Sequence, residues 1–353
     1  MGIEFLAENG AAMTQFFQNS FPNLLMIMRA INVATEPEFC FLLFLAIYWG
    51  INRNKGGRYI YLLGLMLAIF SILQHILQFP APFWLDSQIM QQETGSFASP
   101  NLNIATSLLL ILPFKRFIRT DLVLLSFLLV AILTGLSQIY LGVAGIADLF
   151  LGSLVATCTI LVWYLWNKRY GKAFSRRILG QRFWVAILFP LGLGLIYFVL
   201  INWVQQIGFT GFYNVDPLLY WRAWQTGFIN TITALTLLIG IGIGLTIESA
   251  RVGFRPITNL GNTISNWTIG FLFLGGILYI FRIFLSKSTL LQTGDAFAIP
   301  VLVIKCLLIT SISIYIIPWI FTIIGTATAE AETIPTISLN NFYAETKYQG
   351  TGK

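Results

Sequence analysis

The sequence has few charged residues, a single histidine and only three cysteines. Charged residues make up 10% of the 353 positions, whereas hydrophobic residues make up 57% and the mean hydropathy is +0.78. A soluble domain of this length could not bury that much apolar surface, so the composition excludes a soluble globular protein. It predicts instead an all-α fold, a polytopic bundle of transmembrane helices.

The scarce polar residues also exclude several functions. Cys40, Cys158 and Cys306 lie far apart in or beside apolar runs and have no metal-ligand spacing, so we expect no metal site and no redox role. No motif indicates a cofactor. The net charge of +7 lies in short loops between apolar runs, which favours membrane orientation over nucleic-acid binding.

Apolar runs predict about nine membrane spans. Their predicted bounds are Glu38–Ile51, Tyr59–Phe79, Ile104–Phe114, Leu122–Ile139, Gly145–Trp166, Phe183–Trp203, Gly227–Ile247, Trp267–Leu285 and Ile299–Gly325. Before the first span, the run from Ala11 to Ile31 contains glutamine, asparagine and proline among its apolar residues. That run is too polar to cross a membrane, and it predicts amphipathic helices in the membrane interface over residues 1–35.

Lysine and arginine are distributed asymmetrically among the loops. They concentrate after the first, third, fifth and seventh spans, for example in 53–58 and 168–182, whereas the opposite loops hold only Arg222 and Lys287. The positive-inside rule therefore predicts that the basic loops and the C-terminus are cytoplasmic. Loops 80–103, 137–148 and 204–226 then share the outer face, and the aromatic residues of 204–226 predict an interfacial belt or a lid over a head-group site.

Three blocks in the outer loops follow one another in order. They are QHILQFPAPFW from Gln74, FASPN from Phe97, and SQIYLGVAGIAD from Ser137 to Asp148. In order and spacing they resemble the signatures of the type-2 phosphatidic-acid phosphatase superfamily of integral membrane lipid phosphatases. In that family the blocks carry a Lys six residues before Arg-Pro, then Pro-Ser-Gly-His, then Ser-Arg followed by His and Asp.

The resemblance implies a division of the chain. Residues 36–203 correspond to a six-helix lipid-phosphatase-like core, and the likeness is looser over the C-terminal transmembrane extension, 204–325. Residues 326–353 remain as a polar cytoplasmic tail, predicted to be mobile.

The blocks keep the framework of the family and lack most of its reactive residues. Aligning them places one residue of this chain at each of seven active-site positions, namely Gln74, Ala81, Ser99, Asn101, Gln138, Ala144 and Asp148. Only Ser99 and Asp148 keep the residue type that the family has. The nucleophilic His corresponds to Ala144, the second His to Asn101, and the phosphate-binding Lys and two Arg to Gln74, Ala81 and Gln138.

Such a site could not carry out the family's reaction. That reaction needs a His nucleophile, a second His to protonate the leaving oxygen, and cations to stabilise charge on phosphorus. Losing one member of a catalytic unit costs on the order of 10⁴ to 10⁶ in rate. We therefore expect a non-catalytic relative that acts as a scaffold, a lipid-binding protein or a subunit of a membrane complex. An active phosphatase rebuilt on His75, Ser99 and Asp148 is the alternative, and a small-solute transporter is the third.

Several polar or small residues have two interpretations. His75 either replaces a missing His or faces the bundle, and Asp148 is either a buried carboxylate or a helix cap. Arg282 and Lys305 lie within apolar runs and are either intramembrane sites or snorkelling side chains. Gly240 and Gly244 form a GxxxG motif that packs helices either within the chain or against another subunit.

Overall fold

The structure is a computed structural model, and it describes residues 2–85, 97–114, 120–175, 177–207, 217–286 and 298–329. The helices are α1 (Gly2–Ser20), α2 (Leu25–Thr35), α3 (Pro37–Gly50), α4 (Arg53–Leu77), α5 (Pro82–Leu85), α6 (Leu102–Phe114), α7 (Thr120–Tyr140), α8 (Ile146–Ser175), α9 (Leu179–Ile207), α10 (Pro217–Arg251), α11 (Leu260–Ser286), α12 (Ala298–Ser311) and α13 (Ile317–Ile324). A 3-10 turn, Pro22–Leu24, precedes α2, and a π-helical turn, Ile312–Ile316, joins α12 to α13. The all-α prediction is confirmed.

Six of the described helical stretches are long and apolar enough to cross a membrane: Arg53–Leu77, Ile146–Gly171, Leu179–Gln206, Tyr220–Arg251, Leu260–Phe281 and Ile299–Ile324. A bent pair, Pro22–Thr35 with Pro37–Gly50, is a further candidate, and Leu102–Pro113 and Leu125–Tyr140 are shorter apolar helices. All nine predicted spans therefore coincide with apolar helices. These lengths fit an integral multi-pass membrane protein.

A bend marks the N-terminal boundary. We expected interfacial amphipathic helices over residues 1–35 and a first span over Glu38–Ile51. The stretches Pro22–Thr35 and Pro37–Gly50 together are long and apolar enough to be one candidate span, with a bend of 54° between them. The bend falls at Glu36, whose backbone is extended (φ −63°, ψ 144°). The reason is Pro37, because a residue that precedes proline is disfavoured in the helical region. The bend turns polar residues of α2 toward α6 and α7.

The core lies where α3 and α4 meet α6, α10 and the α12–α13 unit. Its largest buried side chains include Phe44, Tyr48, Trp49 and Phe70. The turn between α3 and α4 is close-packed, because a Cβ at Gly56 would lie 2.4 Å from the Cα of Tyr48. Only glycine permits this approach.

The π-helical turn provides hydrogen-bond acceptors for the core. The indole N–H of Trp49 donates to the carbonyl oxygen of Ser313 at 2.9 Å, and the Tyr48 hydroxyl donates to that of Ile314 at 3.2 Å. A π turn leaves carbonyls outside the regular i−4 pattern, so they can accept bonds from another helix. These bonds satisfy buried polar groups of α3.

A small polar cluster lies at the end of the bundle opposite to the three blocks. The carboxylate of Glu248, which is buried, accepts from Arg53 Nε at 2.8 Å and from the backbone N–H of Phe254 at 2.9 Å. Phe254 begins β1 (Phe254–Pro256), which pairs antiparallel with β2 (Ala327–Ala329). The cluster thus joins the ends of α4 and α10 to this two-stranded ribbon.

The ribbon changes the predicted start of the C-terminal tail. Residues 326–353 were expected to be a mobile tail, but Thr326 is buried and Ala327–Ala329 form β2. Gly325 ends α13 with φ +83°, a conformation that suits glycine and reverses the chain toward β1. Residues 330–353 lie outside the described residues.

Candidate functional site

The third block forms a tight turn between α7 and α8. Leu141, Gly142 and Val143 donate backbone bonds to the carbonyls of Ser137, Ile139 and Gln138, all at 3.0 Å. Gly142 takes φ +71°, which explains the glycine at this position.

Asp148 caps the start of α8. Its Oδ2 accepts a hydrogen bond at 2.8 Å from the backbone N–H of Gly145, the residue directly before α8. This is the carboxylate contact of a capping box. The carbonyl oxygen of Asp148 accepts the backbone N–H of Asn101 at 3.2 Å. Asp148 therefore makes the capping contact and also ties the third block to the second.

A glycine allows the second block to lie directly on α8. A Cβ at Gly152 would be 2.6 Å from the carbonyl oxygen of Asn101, closer than real side chains come. The spacing of Gly152 after Asp148 in the sequence is therefore a packing signal. The structure brings the second and third blocks together, as the resemblance implies.

A chain of amide side chains occupies the space between these blocks. Asn101 Nδ2 donates to Gln138 Oε1 at 3.1 Å, and Gln138 Nε2 donates to Asn32 Oδ1 at 2.6 Å. Asn32 Nδ2 donates to Glu36 Oε1 at 3.0 Å, and Asn103 Nδ2 donates to Asn32 Oδ1 at 2.8 Å. Asn32, Asn101 and Gln138 are buried. We call this set, with Glu36, the amide chain.

Asn32 and Glu36 were missed by the sequence analysis, which placed residues 1–35 in the membrane interface. The sequence does contain a signal, because Asn32 and Glu36 are polar residues among apolar ones and lie directly before Pro37, where the helix is expected to end. Without knowing that α2 packs on α6 and α7, these residues could not be assigned to the site.

The two alanines among the predicted positions are buried in apolar packing. Ala144 is 0% exposed and packs with Ile104, Ile139 and Leu149, and Ala81 is 1% exposed. Helix α1 covers this region, because Thr14 Oγ1 donates to the carbonyl of Ile139 at 2.8 Å. The position predicted for a nucleophile therefore holds a methyl group beneath α1.

The remaining two positions complete the first and second blocks. Ser99 is buried, and Gln74 Nε2 donates to the carbonyl of Pro100 at 2.9 Å. Of the seven predicted positions, Gln74 lies near the end of α4, Ala81 directly before α5, and Ser99 and Asn101 directly before α6; the other three lie where α7 ends and α8 begins. Residues 86–96 of the intervening loop lie outside the described residues.

His75 faces the bundle on a different side of α4. Its Nδ1 is 2.6 Å from the hydroxyl of Tyr197 on α9, and its ring contacts Trp224 and Phe228 of α10. A Cβ at Gly227 would be 2.9 Å from the ring, so the helices close tightly around it. The His75 ring also stacks on Phe97 of the second block, with the ring centroids 6.4 Å apart, but among the described residues no hydrogen bond joins His75 to Ser99 or Asp148.

The other polar candidates lie away from the amide chain. Lys305 is half-buried on α12, and Arg282 lies on α11, where its side chain is outside the described residues. Gly240 and Gly244 face Thr310 and Ile314 of the same chain, and a Cβ at Gly240 would be 2.0 Å from Thr310 Oγ1. The GxxxG face is therefore occupied within the chain. Of the aromatic loop 204–226, residues 208–216 are outside the described residues.

A cleft of about 500 Å³ opens beside the amide chain. Its polar end is lined by Asn32, Glu36, Glu38, Ser71, Gln74, Asn101, Asn103 and Gln138, and its apolar end by Leu63, Leu67, Leu237, Ile241 and Ile309. Neither lysine, arginine nor histidine is among the described residues that line it. The volume is that of a small-molecule or lipid site, and its charged lining groups are acidic.

The fold and the spans fit a multi-pass helical membrane protein. In a comparison with protein families, residues 55–172 match the family model of the PAP2 superfamily. The match covers about a third of the chain, from the start of α4 to near the end of α8, and it includes all three blocks. The predicted resemblance is confirmed for this region. No curated protein and no solved structure matches the chain.

Proposed function

We propose that this protein is a non-catalytic member of the PAP2 superfamily that binds a lipid in the cleft and serves as a lipid-binding or scaffold protein of its membrane. The observation that carries the proposal is the amide chain. Neutral amides occupy the space where a phosphatase needs cations and histidines, and Ala144 fills the predicted position of the nucleophile.

The chemistry of these side chains argues against phosphoryl transfer. A methyl group cannot attack phosphorus, and an amide cannot deliver a proton near neutral pH. Developing negative charge on phosphorus needs preorganised cations, whereas the charged side chains at the cleft are Glu36 and Glu38.

Activity assays test this proposal. The full chain, purified in mild detergent, is given phosphatidic acid or a polyprenyl diphosphate, and phosphate release is measured against a protein-free detergent blank. We expect no release above the blank. Release that disappears in an Asp148→Ala variant would show that the site is catalytic and would reject the proposal.

The rebuilt active site remains the second hypothesis, and it makes a different prediction. A phosphatase using His75, Ser99 or Asp148 as nucleophile would carry a phosphate on that residue during turnover. The orientation of His75 toward Tyr197 gives no support to this role. Mass spectrometry of protein quenched during incubation with these substrates should find no phosphorylated residue.

A further inference from the structure

The hydrogen bonds of the cleft specify which kind of head group it can hold. We propose that its ligand is a lipid with an uncharged, hydroxyl-bearing head group, such as a glycosyl diacylglycerol, and that phosphate lipids are excluded. This inference rests on the proposed lipid-binding function and adds the class of ligand.

The orientation of each side-chain amide follows from the hydrogen bonds at the two ends of the amide chain. The backbone N–H of Ile104 can only donate, and it donates to Asn101 Oδ1 at 3.1 Å. Asn101 must then present its NH₂ to Gln138, and Gln138 must present its own to Asn32. At the other end, the Glu36 carboxylate accepts from Asn32 Nδ2. The directions assigned from the two ends agree.

This fixed direction leaves both acceptors and donors at the cleft, because each NH₂ group has two hydrogens and makes one hydrogen bond among the described residues. Asn103 uses its NH₂ on Asn32, and Gln74 uses its NH₂ on the carbonyl of Pro100, so the amide oxygen of each is unused. The second oxygen of Glu36 likewise receives no hydrogen bond from any described residue, and Glu38 adds another carboxylate. A ligand at this end must therefore supply donors for these oxygens and acceptors for the remaining amide N–H groups.

Phosphate fails this requirement and sugar hydroxyls meet it. A phosphate diester or dianion offers only acceptors, so it would face carboxylate and amide oxygens without a donor between them. Hydroxyl groups donate to these oxygens and can turn to suit them. An ammonium group also donates, and the two carboxylates favour it, but it offers no acceptor to the remaining amide N–H groups, whereas a hydroxyl both donates and accepts.

The other end of the cleft fits an acyl chain. The lining residues run from Gln74 to Leu63 on α4 and from Asn230 to Ile241 on the antiparallel α10. At 1.5 Å per residue, each run extends roughly 16 Å, about half of the 30 Å hydrocarbon core. A lipid with its head group at the amide chain would thus place one tail along the groove toward the membrane centre.

Competitive binding of defined lipids tests the proposal. The full chain in detergent micelles is mixed with equimolar glucosyl dioleoylglycerol, dioleoyl phosphatidic acid and a dioleoyl lipid with a primary ammonium head group, and bound lipids are counted by native mass spectrometry. We expect the glucosyl lipid to be retained at least about tenfold over the other two. Equal or greater retention of phosphatidic acid or of the cationic lipid, or equal retention of all three, would overturn the inference.

A pair of tryptophan variants locates the binding. Leu67→Trp fills the apolar end of the cleft and should reduce retention of the glucosyl lipid about tenfold. Leu129 lies on α7 and is 54% exposed, so Leu129→Trp should leave retention of the glucosyl lipid unchanged. Thermal unfolding of both variants shows whether they fold, and equal retention by two folded variants would overturn the assigned cleft.

A third variant changes the charge of the cleft lining instead of the cleft volume. Gln74→Lys places a cation at the polar end and should shift retention toward phosphatidic acid by about tenfold; unchanged selectivity in the folded variant would contradict the role of lining charge. Phosphate release by the wild-type chain would reject the proposed function, whereas failure to prefer the glucosyl lipid without phosphate release would reject only the inference.

Discussion

At the scale of single residues, the site is held together by amide side chains at positions where the proposed loss of phosphate chemistry is also located. Asn32, Asn101 and Gln138 satisfy one another at depths where an unpaired amide is costly. Asp148 retains the residue type of the family and caps α8. The retained and the replaced residues therefore both have structural roles in this chain.

Replacing Gln138 by alanine should break the amide chain in its middle. Asn101 Nδ2 and Asn32 Oδ1 would each lose a partner, which should lower the free energy of unfolding by about 1–3 kcal/mol. Reversible unfolding in mixed micelles measures this change. Asn202→Ala is the control, because Asn202 is exposed and bonds only to the carbonyl of Phe198 in its own helix. Equal effects of the two substitutions would show that the amide chain does not stabilise the fold.

Asp148→Ala should cost about 0.5–2 kcal/mol through loss of the helix cap. Retention of the glucosyl lipid should stay within twofold, since Asp148 does not line the cleft. Unfolding and lipid retention measured on the same sample separate these effects. An unchanged free energy of unfolding would contradict the capping role.

At the scale of elements, the sequence was informative about the helices and uninformative about their polar contacts. Each predicted span coincides with an apolar helix because backbone groups inside a membrane must be bonded within the segment, so apolar length reports the helix directly. The Asn32–Gln138 bond joins residues 106 positions apart, and no local pattern specifies such a pairing. The three blocks located the site through turn and cap residues. Helices were expected in residues 1–35, but the contribution of α2 to the site was not predicted because its contacts are tertiary.

Close helix approaches give a prediction at this scale. Gly56→Ala would bring a methyl group within 2.4 Å of the backbone of Tyr48, so α3 and α4 would have to separate. We expect a loss of about 2–4 kcal/mol, comparable to other forced overpacking. Gly275→Ala in α11 is the matched control, since a Cβ there meets nothing within 4 Å. It should be neutral or stabilise by up to about 1 kcal/mol. A neutral Gly56→Ala variant would contradict the described α3–α4 turn.

The cluster at the opposite end gives a second test. Glu248→Ala leaves Arg53 without its partner and removes the bond to the Phe254 N–H, which should cost about 3 kcal/mol. A double variant with Arg53→Ala should lose less than the sum of the two single variants, because the residues are directly coupled. Additive losses in the unfolding measurement would show that the ion pair contributes no coupling energy.

At the scale of the whole molecule, the sequence predicts which side of the membrane each loop faces. The distribution of lysine and arginine predicts that residues 168–182 are cytoplasmic and that the amide chain lies near the outer face. On a cysteine-free background, Gln181→Cys should react with a membrane-impermeant maleimide only after the membrane is opened. Asn19→Cys, on the exposed end of α1, should react in intact cells. The reverse pattern would invert the predicted orientation.

The central proposal is that a framework similar to that of the PAP2 superfamily is used here without the superfamily's reaction. Phosphate release from phosphatidic acid by the full chain reconstituted in liposomes tests it most directly, with an active PAP2 phosphatase reconstituted alongside as the positive control. The account predicts release equal to that of protein-free liposomes and unchanged by Ser99→Ala or Asp148→Ala. Release well above the protein-free level that is abolished by either substitution would contradict it.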